Sequence, residues 1–120
     1  MNDFVAGDLR LAANGQRSDV IELTWIGRSN ERYPGKLLMP YFQGVLAEAV
    51  ERGVPLELHF QKLEHFNSST ITMIIQLIQE ARARGVRLVM SYDQALKWQK
   101  MSFDALRVFA RDDLFQLRPI

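Results

Sequence analysis

One strand places the strongest constraint on what this chain can fold into. From Pro55 to Phe60, apolar residues alternate with Glu57 and His59. Alternation with a period of two is typical of a strand with one buried and one polar face. A strand covered by helices on both sides would be apolar on both faces. The pattern therefore predicts a sheet that has helices packed on one face only.

A helix and a second strand follow this first strand. The helix is predicted to begin after Asn67 and to end at Gly85, with an apolar stripe formed by Ile71, Ile74, Ile75, Ile78 and Ala81. Val86 to Tyr92 is the second strand. A strand–helix–strand unit of this kind joins two parallel strands through a right-handed crossover, so a parallel pair is expected.

The flanking segments complete the predicted architecture. Alternating runs on either side of Asn14-Gly15 indicate a β-hairpin with a connection of two or more residues. The other predicted elements are a loop over Gly27–Gly35, a helix from near Met39 to Gly53 with Pro40 in its first turn, a helix over Gln94–Ala110 broken near Met101-Ser102 with Ser102 as a cap, and an edge strand over Leu114–Leu117. Together they predict one α/β domain over residues 1–120 with a mixed sheet.

Composition excludes several classes of function. The 120 residues include 15 basic and 14 acidic ones, so the net charge of +1 gives no electrostatic footprint for nucleic acid or an anionic membrane. No apolar run approaches the roughly 20 residues of a membrane span, and the N-terminus lacks the pattern of a signal peptide. Without cysteine there is neither a disulfide framework nor a thiolate ligand. A cytoplasmic protein without a cofactor is expected.

Four consecutive hydrogen-bonding residues, Asn67 to Thr70, stand between a strand and a helix. Such residues are favoured N-caps, because their side-chain oxygens accept hydrogen bonds from free amides of the first turn, at about 1 kcal/mol. Capping explains one or two of them, whereas three hydroxyls in a row lower helix propensity. A phosphoacceptor or an anion site is the alternative, since the free amides and positive end of a helix favour negative charge.

The sequence around this turn carries a resemblance to a known family. Leu63 to Ile71, followed by an apolar helix, a glycine and Val86 to Met90, resembles a STAS domain, and in particular the bacterial anti-sigma-factor antagonists. In that family an Asp-Ser-Ser/Thr-Gly turn follows the central strand, and a partner kinase phosphorylates the first hydroxyl after the Asp. The resemblance implies a STAS-like fold with Ser68 as the phosphoacceptor and Ser69 and Thr70 as alternates.

The resemblance also implies the partners. It is best over residues 55–111, with Asn67 where the family usually has Asp and Thr70 where it has Gly. These departures are similar to an outlying branch in which some members act on diguanylate cyclases instead of anti-sigma factors. The implied partners are a protein kinase or anti-sigma factor of the histidine-kinase-like ATPase fold and a PP2C-type phosphatase, with no nucleic acid and no membrane. The expected partner surface contains Phe66, Asn67, Ser68, Ser69, Thr70, Met73, Tyr92 and Trp98.

Two other functions stay open on the sequence. A small-ligand or anion-binding carrier would use the polar sheet face and the turn. A small hydrolase would need Ser68, His65 and Asp93 as a triad, but no nucleophile elbow or oxyanion loop accompanies them, so no enzyme is expected. His59 and His65 lack clustered partners in the sequence, so no metal site is predicted, and His59 is expected to pair with Glu57 at the surface.

Overall fold

The chain folds into a sheet with a layer of helices. The computed structural model describes residues 2–120, and its strands are β1 (Phe4–Ala6), β2 (Leu9–Asn14), β3 (Ile21–Ser29), β4 (Leu56–His59), β5 (Leu63–Phe66), β6 (Leu88–Tyr92) and β7 (Phe115–Pro119). The helices are α1 (Pro34–Arg52), α2 (Ser68–Ala83) and α3 (Lys97–Asp104), with a 3₁₀ turn at Ala105–Phe109 after α3.

The sheet is antiparallel at one end and parallel at the other. β1 pairs with β2, and β2 with β3, in antiparallel fashion, so the predicted hairpin is confirmed. β3–β4, β4–β6 and β6–β7 are parallel pairs, which confirms the predicted parallel pair of β4 and β6 and the terminal edge strand. The order is β1-β2-β3-β4-β6-β7, and β5 pairs with β3 off this path.

A bulge allows β3 to pair with both β4 and β5. The register shifts between Gly27 and Arg28. Gly27 has a φ of +92°, and a Cβ at this position would lie 2.2 Å from the backbone oxygen of Asp8, so only glycine fits. The part of β3 after the bulge pairs with β5, the strand that leads into the Asn67 turn.

Helices cover one face of the sheet. Alternate strand residues such as Leu23, Leu58 and Met90 are fully buried in one cluster with side chains from α1, α2 and α3. Glu57 and His59 occupy the intervening positions on β4 and therefore point to the opposite face. The predicted fold class, a mixed α/β sheet with helices packed on one face, is confirmed.

Helix α1 begins earlier than the sequence predicts. The predicted loop over Gly27–Gly35 is wrong at both ends, because β3 runs to Ser29 and α1 begins at Pro34. Pro34 takes the first-turn position predicted for Pro40, where a fixed φ and a missing N–H suit a helix start. Pro40 consequently lies inside the helix.

Two details of the later helices also differ from prediction. The buried stripe of α2 is centred one residue earlier, on Thr70, Met73, Ile74, Leu77, Ile78 and Ala81. Ile71 and Ile75 are only partly buried. The predicted break near Met101-Ser102 is wrong, because α3 continues to Asp104 before it tightens into the 3₁₀ turn.

The helices of residues 2–120 include none with the length and apolarity of a membrane span.

Candidate functional site

The Asn67 turn connects β5 to α2 and is fastened to β3. The backbone N–H of Asn67 donates to the backbone oxygen of Ser29 at 3.1 Å, which extends the β3–β5 ladder by one bond. Asn67 then takes an extended conformation, with φ −92° and ψ 175°, and Ser68 is the first helical residue. The backbone thus leaves the sheet at Asn67 and enters the helix within one residue.

Both polar atoms of the Asn67 side-chain amide form hydrogen bonds. Its Oδ1 accepts from the backbone N–H of Thr70 at 2.9 Å and from the Thr70 hydroxyl at 2.7 Å. Its Nδ2 donates to the backbone oxygen of Glu31 at 2.9 Å. The predicted capping role is therefore present, and it holds the loop before α1 as well as the start of α2.

Thr70 belongs to the interior of the protein. Its side chain is fully buried, and its Oγ1 lies 2.7 Å from Ser29 Oγ. Because the Thr70 proton goes to Asn67, the Ser29 hydroxyl donates in this pair. The Thr70 hydroxyl is thus enclosed and engaged, which counts against its prediction as an alternate phosphoacceptor.

Ser68 and Ser69 have the opposite environment. Both are exposed, and neither hydroxyl makes a hydrogen bond within residues 2–120. They occupy the first two positions of α2, where backbone N–H groups have no intrahelical acceptors. Two hydroxyls without a structural task therefore lie at the positive end of a helix dipole.

A shallow groove of about 400 Å³ runs beside Ser69. Its wall contains Arg32, Tyr33 and Lys36 from the loop and first turn of α1. The Arg32 guanidinium and the Lys36 ammonium lie 5.5 Å and 5.1 Å from the Tyr33 ring centroid, within cation–π range. Ser69 therefore faces a positively charged groove, and Ser68 does not line it.

Several residues predicted for the partner surface are buried instead. Phe66 is 7 % exposed, and Met73 and Tyr92 are 1 % exposed. Since Phe66, Met73 and Tyr92 pack into the hydrophobic core, these three side chains lie beneath the surface and support it. Trp98 is half-buried and meets Phe66 edge-on, with ring centroids 5.2 Å apart. Of the predicted partner surface, Ser68 and Ser69 are therefore exposed, and Asn67 and Trp98 are partly exposed.

Tyr92 has a polar cluster of its own. Its hydroxyl donates to Asp104 Oδ1 at 3.1 Å and accepts from Arg107 Nη2 at 2.9 Å. Burial raises the pKa of Tyr92, and the bond to Asp104 acts in the same direction. The pKa of the Asp104 carboxyl is lowered, chiefly by its hydrogen bond from Lys100. The cluster ties α3 and the 3₁₀ turn to β6.

Gln99 is a site-supporting residue that the sequence did not reveal. It is fully buried, and its Nε2 donates to the backbone oxygens of Phe60 and Leu63 at 2.7 Å and 3.0 Å. Its Oε1 accepts from the amide of Asp93 at 2.8 Å. A glutamine beside Lys100 in a helix gives no sign of burial in the sequence, so only its long-range hydrogen bonds reveal the role.

The structure does not form the triad considered for catalysis, and it places the two histidines on different strands. No hydrogen bond within residues 2–120 joins Ser68, His65 and Asp93 to one another. His65 is exposed on β5. His59 lies on β4 with its Nε2 3.7 Å from Glu57 and 3.6 Å from Glu22, so its expected neighbour is joined by a second carboxylate.

Comparison with known proteins finds a likeness among solved structures. No family model and no curated protein matches the sequence. Among solved structures, the fold is similar to that of the anti-sigma factor antagonist SpoIIAA in its unphosphorylated form, with a TM-score of 0.49 and 12% identity over 81% of this chain and 97% of that chain. At this identity and score, the function has to be argued from the residues of the site.

Proposed function

We propose that this chain is a non-catalytic, STAS-like protein-binding module that is switched by reversible phosphorylation of Ser68. One observation carries the proposal. Asn67 and Thr70 complete the cap and the contact to β3, so the exposed hydroxyls of Ser68 and Ser69 contribute nothing to the fold. Hydroxyls are unfavourable in a helix, so two that serve no structural purpose point to a purpose outside the fold.

Ser68 is the preferred acceptor for two reasons. It is the first hydroxyl after Asn67, which is the position that the family resemblance assigns. It also lies outside the groove lined by Arg32 and Lys36, whereas Ser69 is part of that groove. A phosphate on Ser68 would therefore stay available to a docking partner, and one on Ser69 would be drawn towards the two cations.

Phosphorylation at this position should change binding more than folding. A phosphoryl group adds about −1.5 to −2 charges at neutral pH, and a helix N-terminus favours negative charge. An interface formed over unmodified Ser68 would have to bury that charge, which is costly without a cationic partner. The module therefore binds when Ser68 is free and releases its partner when Ser68 is phosphorylated.

The partners follow from the family resemblance. A protein kinase or anti-sigma factor of the histidine-kinase-like ATPase fold would dock on Ser68, Ser69 and the exposed edge of Trp98, and a PP2C-type phosphatase would reverse the modification. A diguanylate cyclase is the alternative target, because Asn67 and Thr70 depart from the common turn. Such partners would act in the cytoplasm.

The proposal is tested by phosphosite mapping and partner capture. The protein is purified from its own host, and its phosphorylated residue is identified by mass spectrometry. Ser68→Ala and Ser68→Glu baits are then compared in pull-downs, with Thr72→Glu as a control for added charge one turn further along α2, where the side chain is also exposed. We expect a partner that is held by wild type, Ser68→Ala and Thr72→Glu and lost by Ser68→Glu. Equal capture by the two Ser68 variants would refute the switch.

An anion-binding carrier is the second candidate, and the groove beside Ser69 is the observation in its favour. Arg32 and Lys36 give it positive charge next to a helix N-terminus. Native mass spectrometry distinguishes the candidates. A carrier retains a small molecule that is lost in an Arg32→Ala/Lys36→Ala variant, whereas the switch module shows the mass of the polypeptide with or without one phosphate.

A further inference from the structure

Three potential metal ligands meet on the sheet face that the helices leave open. Glu22 lies on β3 directly opposite Glu57 on β4, and His59 is two residues further along β4, on the same face. One ligand atom from each lies within 4.8 Å of the other two. All three therefore project from paired strands, which hold a site more firmly than loops do.

The spacing of these atoms suits an ion better than it suits hydrogen bonds. His59 Nε2 is 3.6 Å from Glu22 Oε2 and 3.7 Å from Glu57 Oε1. Both distances exceed the 2.7–3.2 Å of an N–H···O bond. Two ligand atoms bound tetrahedrally to Zn²⁺ at about 2.0–2.2 Å lie about 3.3–3.6 Å apart. The two distances from His59 to the carboxylates are thus close to the ligand spacing of a zinc site.

His59 is oriented by a polar side chain behind it. Its Nδ1 lies 2.5 Å from the hydroxyl of Ser91, which is fully buried on the neighbouring strand β6. Ser91 Oγ in turn lies 3.2 Å from Gln61 Oε1 and 3.0 Å from Gln61 Nε2. The tautomer that a metal needs is thus available: Nδ1–H donates to Ser91, Ser91 donates to Gln61 Oε1, and Nε2 keeps its lone pair. Metal-binding histidines almost always have such a partner.

The positive charges beside the two carboxylates belong to largely exposed arginine side chains. Arg17 Nη1 is 2.8 Å from Glu22 and 3.9 Å from Glu57, and Arg118 Nη1 is 3.6 Å from Glu57. Asn14 Nδ2 also donates to Glu22 Oε2 at 3.3 Å. The two arginine side chains are 51% and 53% exposed, whereas those of the glutamates are 12% and 10% exposed. Exposed ion pairs are weak, so the arginines can move away when a stronger cation arrives.

We propose that Glu22, Glu57 and His59 bind one divalent transition-metal ion, with Zn²⁺ as the best fit. One imidazole and two carboxylates suit Zn²⁺ better than Mg²⁺ or Ca²⁺, which favour all-oxygen sites. Water would complete the coordination. The ion would connect β3 to β4 and stabilise the folded protein by mass action. Along β3, Glu22 is seven residues before Ser29, or about 20 Å from the Asn67 turn, so this site is independent of the proposed phosphoswitch.

Calorimetric titration of the metal-free 120-residue chain with ZnCl₂ tests the proposal. We expect one ion per chain, and Co²⁺ in place of Zn²⁺ should give the visible absorption of a four-coordinate complex. His59→Gln should weaken binding at least about tenfold, and Ser91→Ala about tenfold. His65→Gln is the matched control, because it removes the other histidine, which is exposed on β5. Arg17→Ala should strengthen binding, since it removes a competing cation.

Two results would overturn the site: no stoichiometric Zn²⁺ binding by the wild-type chain, or an equal loss of binding in His59→Gln and His65→Gln. Should His59→Gln fail to fold, the wild-type protein still decides the matter by NMR. Zinc-induced shifts of the His59 ring signals, with those of His65 unchanged, support the site. The reverse pattern contradicts it.

Discussion

At the scale of single residues, Asn67 explains why this turn departs from the Asp-Ser-Ser/Thr-Gly pattern of the family it resembles. The turn needs an acceptor for Thr70 and a donor for the backbone oxygen of Glu31. An amide supplies both, whereas a carboxylate would set an acceptor against the Glu31 oxygen. Thr70 in place of glycine is explained in the same way, because its hydroxyl meets Ser29 in the interior.

Replacing Asn67 should therefore cost stability, and replacing Ser68 should not. We expect Asn67→Ala to lower the free energy of unfolding by about 1–2 kcal/mol, through loss of the cap. Asn67→Asp, which keeps the cap but loses the donor to Glu31, should lie between Asn67→Ala and wild type. Ser68→Ala should stay within about 0.5 kcal/mol of wild type. Urea denaturation measures all three, and a cost at Ser68 as large as that at Asn67 would show that Ser68 has a structural task.

At the scale of elements, α2 is attached to β3 by buried polar contacts between Thr70 and Ser29. Ser29 Oγ and Thr70 Oγ1 are 2.7 Å apart, and both residues are buried. Thr70→Val leaves the Ser29 hydroxyl without its acceptor, so we expect a loss of about 1–3 kcal/mol. The double variant Ser29→Ala/Thr70→Val should cost less than the sum of the single variants. Strict additivity in this double-mutant cycle, measured by chemical denaturation, would mean that the two hydroxyls do not interact.

The proline inside α1 gives a second prediction at this scale. Pro40 is exposed in the interior of the helix, where its ring removes a backbone donor and crowds the carbonyl of Lys36. Pro40→Ala should raise the free energy of unfolding by about 1–3 kcal/mol. No such gain is expected from Pro34→Ala, since a first-turn proline costs a helix nothing and Pro34 is also buried. A destabilised Pro40→Ala variant would mean that the helix or its neighbours depend on the proline ring.

The elements that could be predicted are those whose pattern is local. β4 and α2 show a clear period and clear ends, so their positions follow from the sequence. β5 is hidden because only its first and last residues are buried, with Glu64 and His65 between them. β1 has only three residues, and it is defined by its pairing with β2 more than by a pattern of its own. The start of α1 was obscured by two prolines that both fit a first turn.

At the scale of the whole molecule, the candidate sites are made by contacts that no local pattern reports. The turn itself was predictable, because Asn67 to Thr70 are consecutive. The residues that hold the turn in place were not predictable. Ser29, Glu31 and the groove cations belong to a segment more than 30 residues earlier. The metal ligands likewise come together only through the pairing of β3 with β4. The sequence therefore identifies the exposed hydroxyls of the turn but not the long-range contacts that hold the turn in place.

Ionisation of Tyr41 should make the free energy of unfolding depend on pH in the alkaline range. Burial raises the pKa of Tyr41 to about 12 from 10.0, and the carboxylates of Asp3 and Glu48 add to the shift. Its hydroxyl donates to the backbone oxygen of Asn2. The folded state thus keeps a proton that the unfolded chain loses, so the contribution is complete below pH 10 and is lost as the pH rises towards 12.

Tyr41→Phe isolates this contribution. Urea unfolding of both proteins should show that wild type loses more stability than Tyr41→Phe between about pH 10 and pH 12. Other groups titrate equally in the two proteins, so the difference belongs to Tyr41. Parallel stability curves over this interval would mean that the tyrosine ionises as readily in the folded protein as in the unfolded chain.

The central claim is that the charge state of Ser68 decides binding, and one measurement tests it most directly. The captured partner is titrated with three purified proteins: the unmodified chain, the chain with phosphoserine installed at position 68, and the chain with phosphoserine at position 69. We predict that phosphate at Ser68 weakens binding at least about tenfold, equivalent to about 1.4 kcal/mol. Phosphate at Ser69, beside Arg32 and Lys36, should weaken it less. Equal affinity of the unmodified chain and the Ser68-phosphorylated chain would contradict the account.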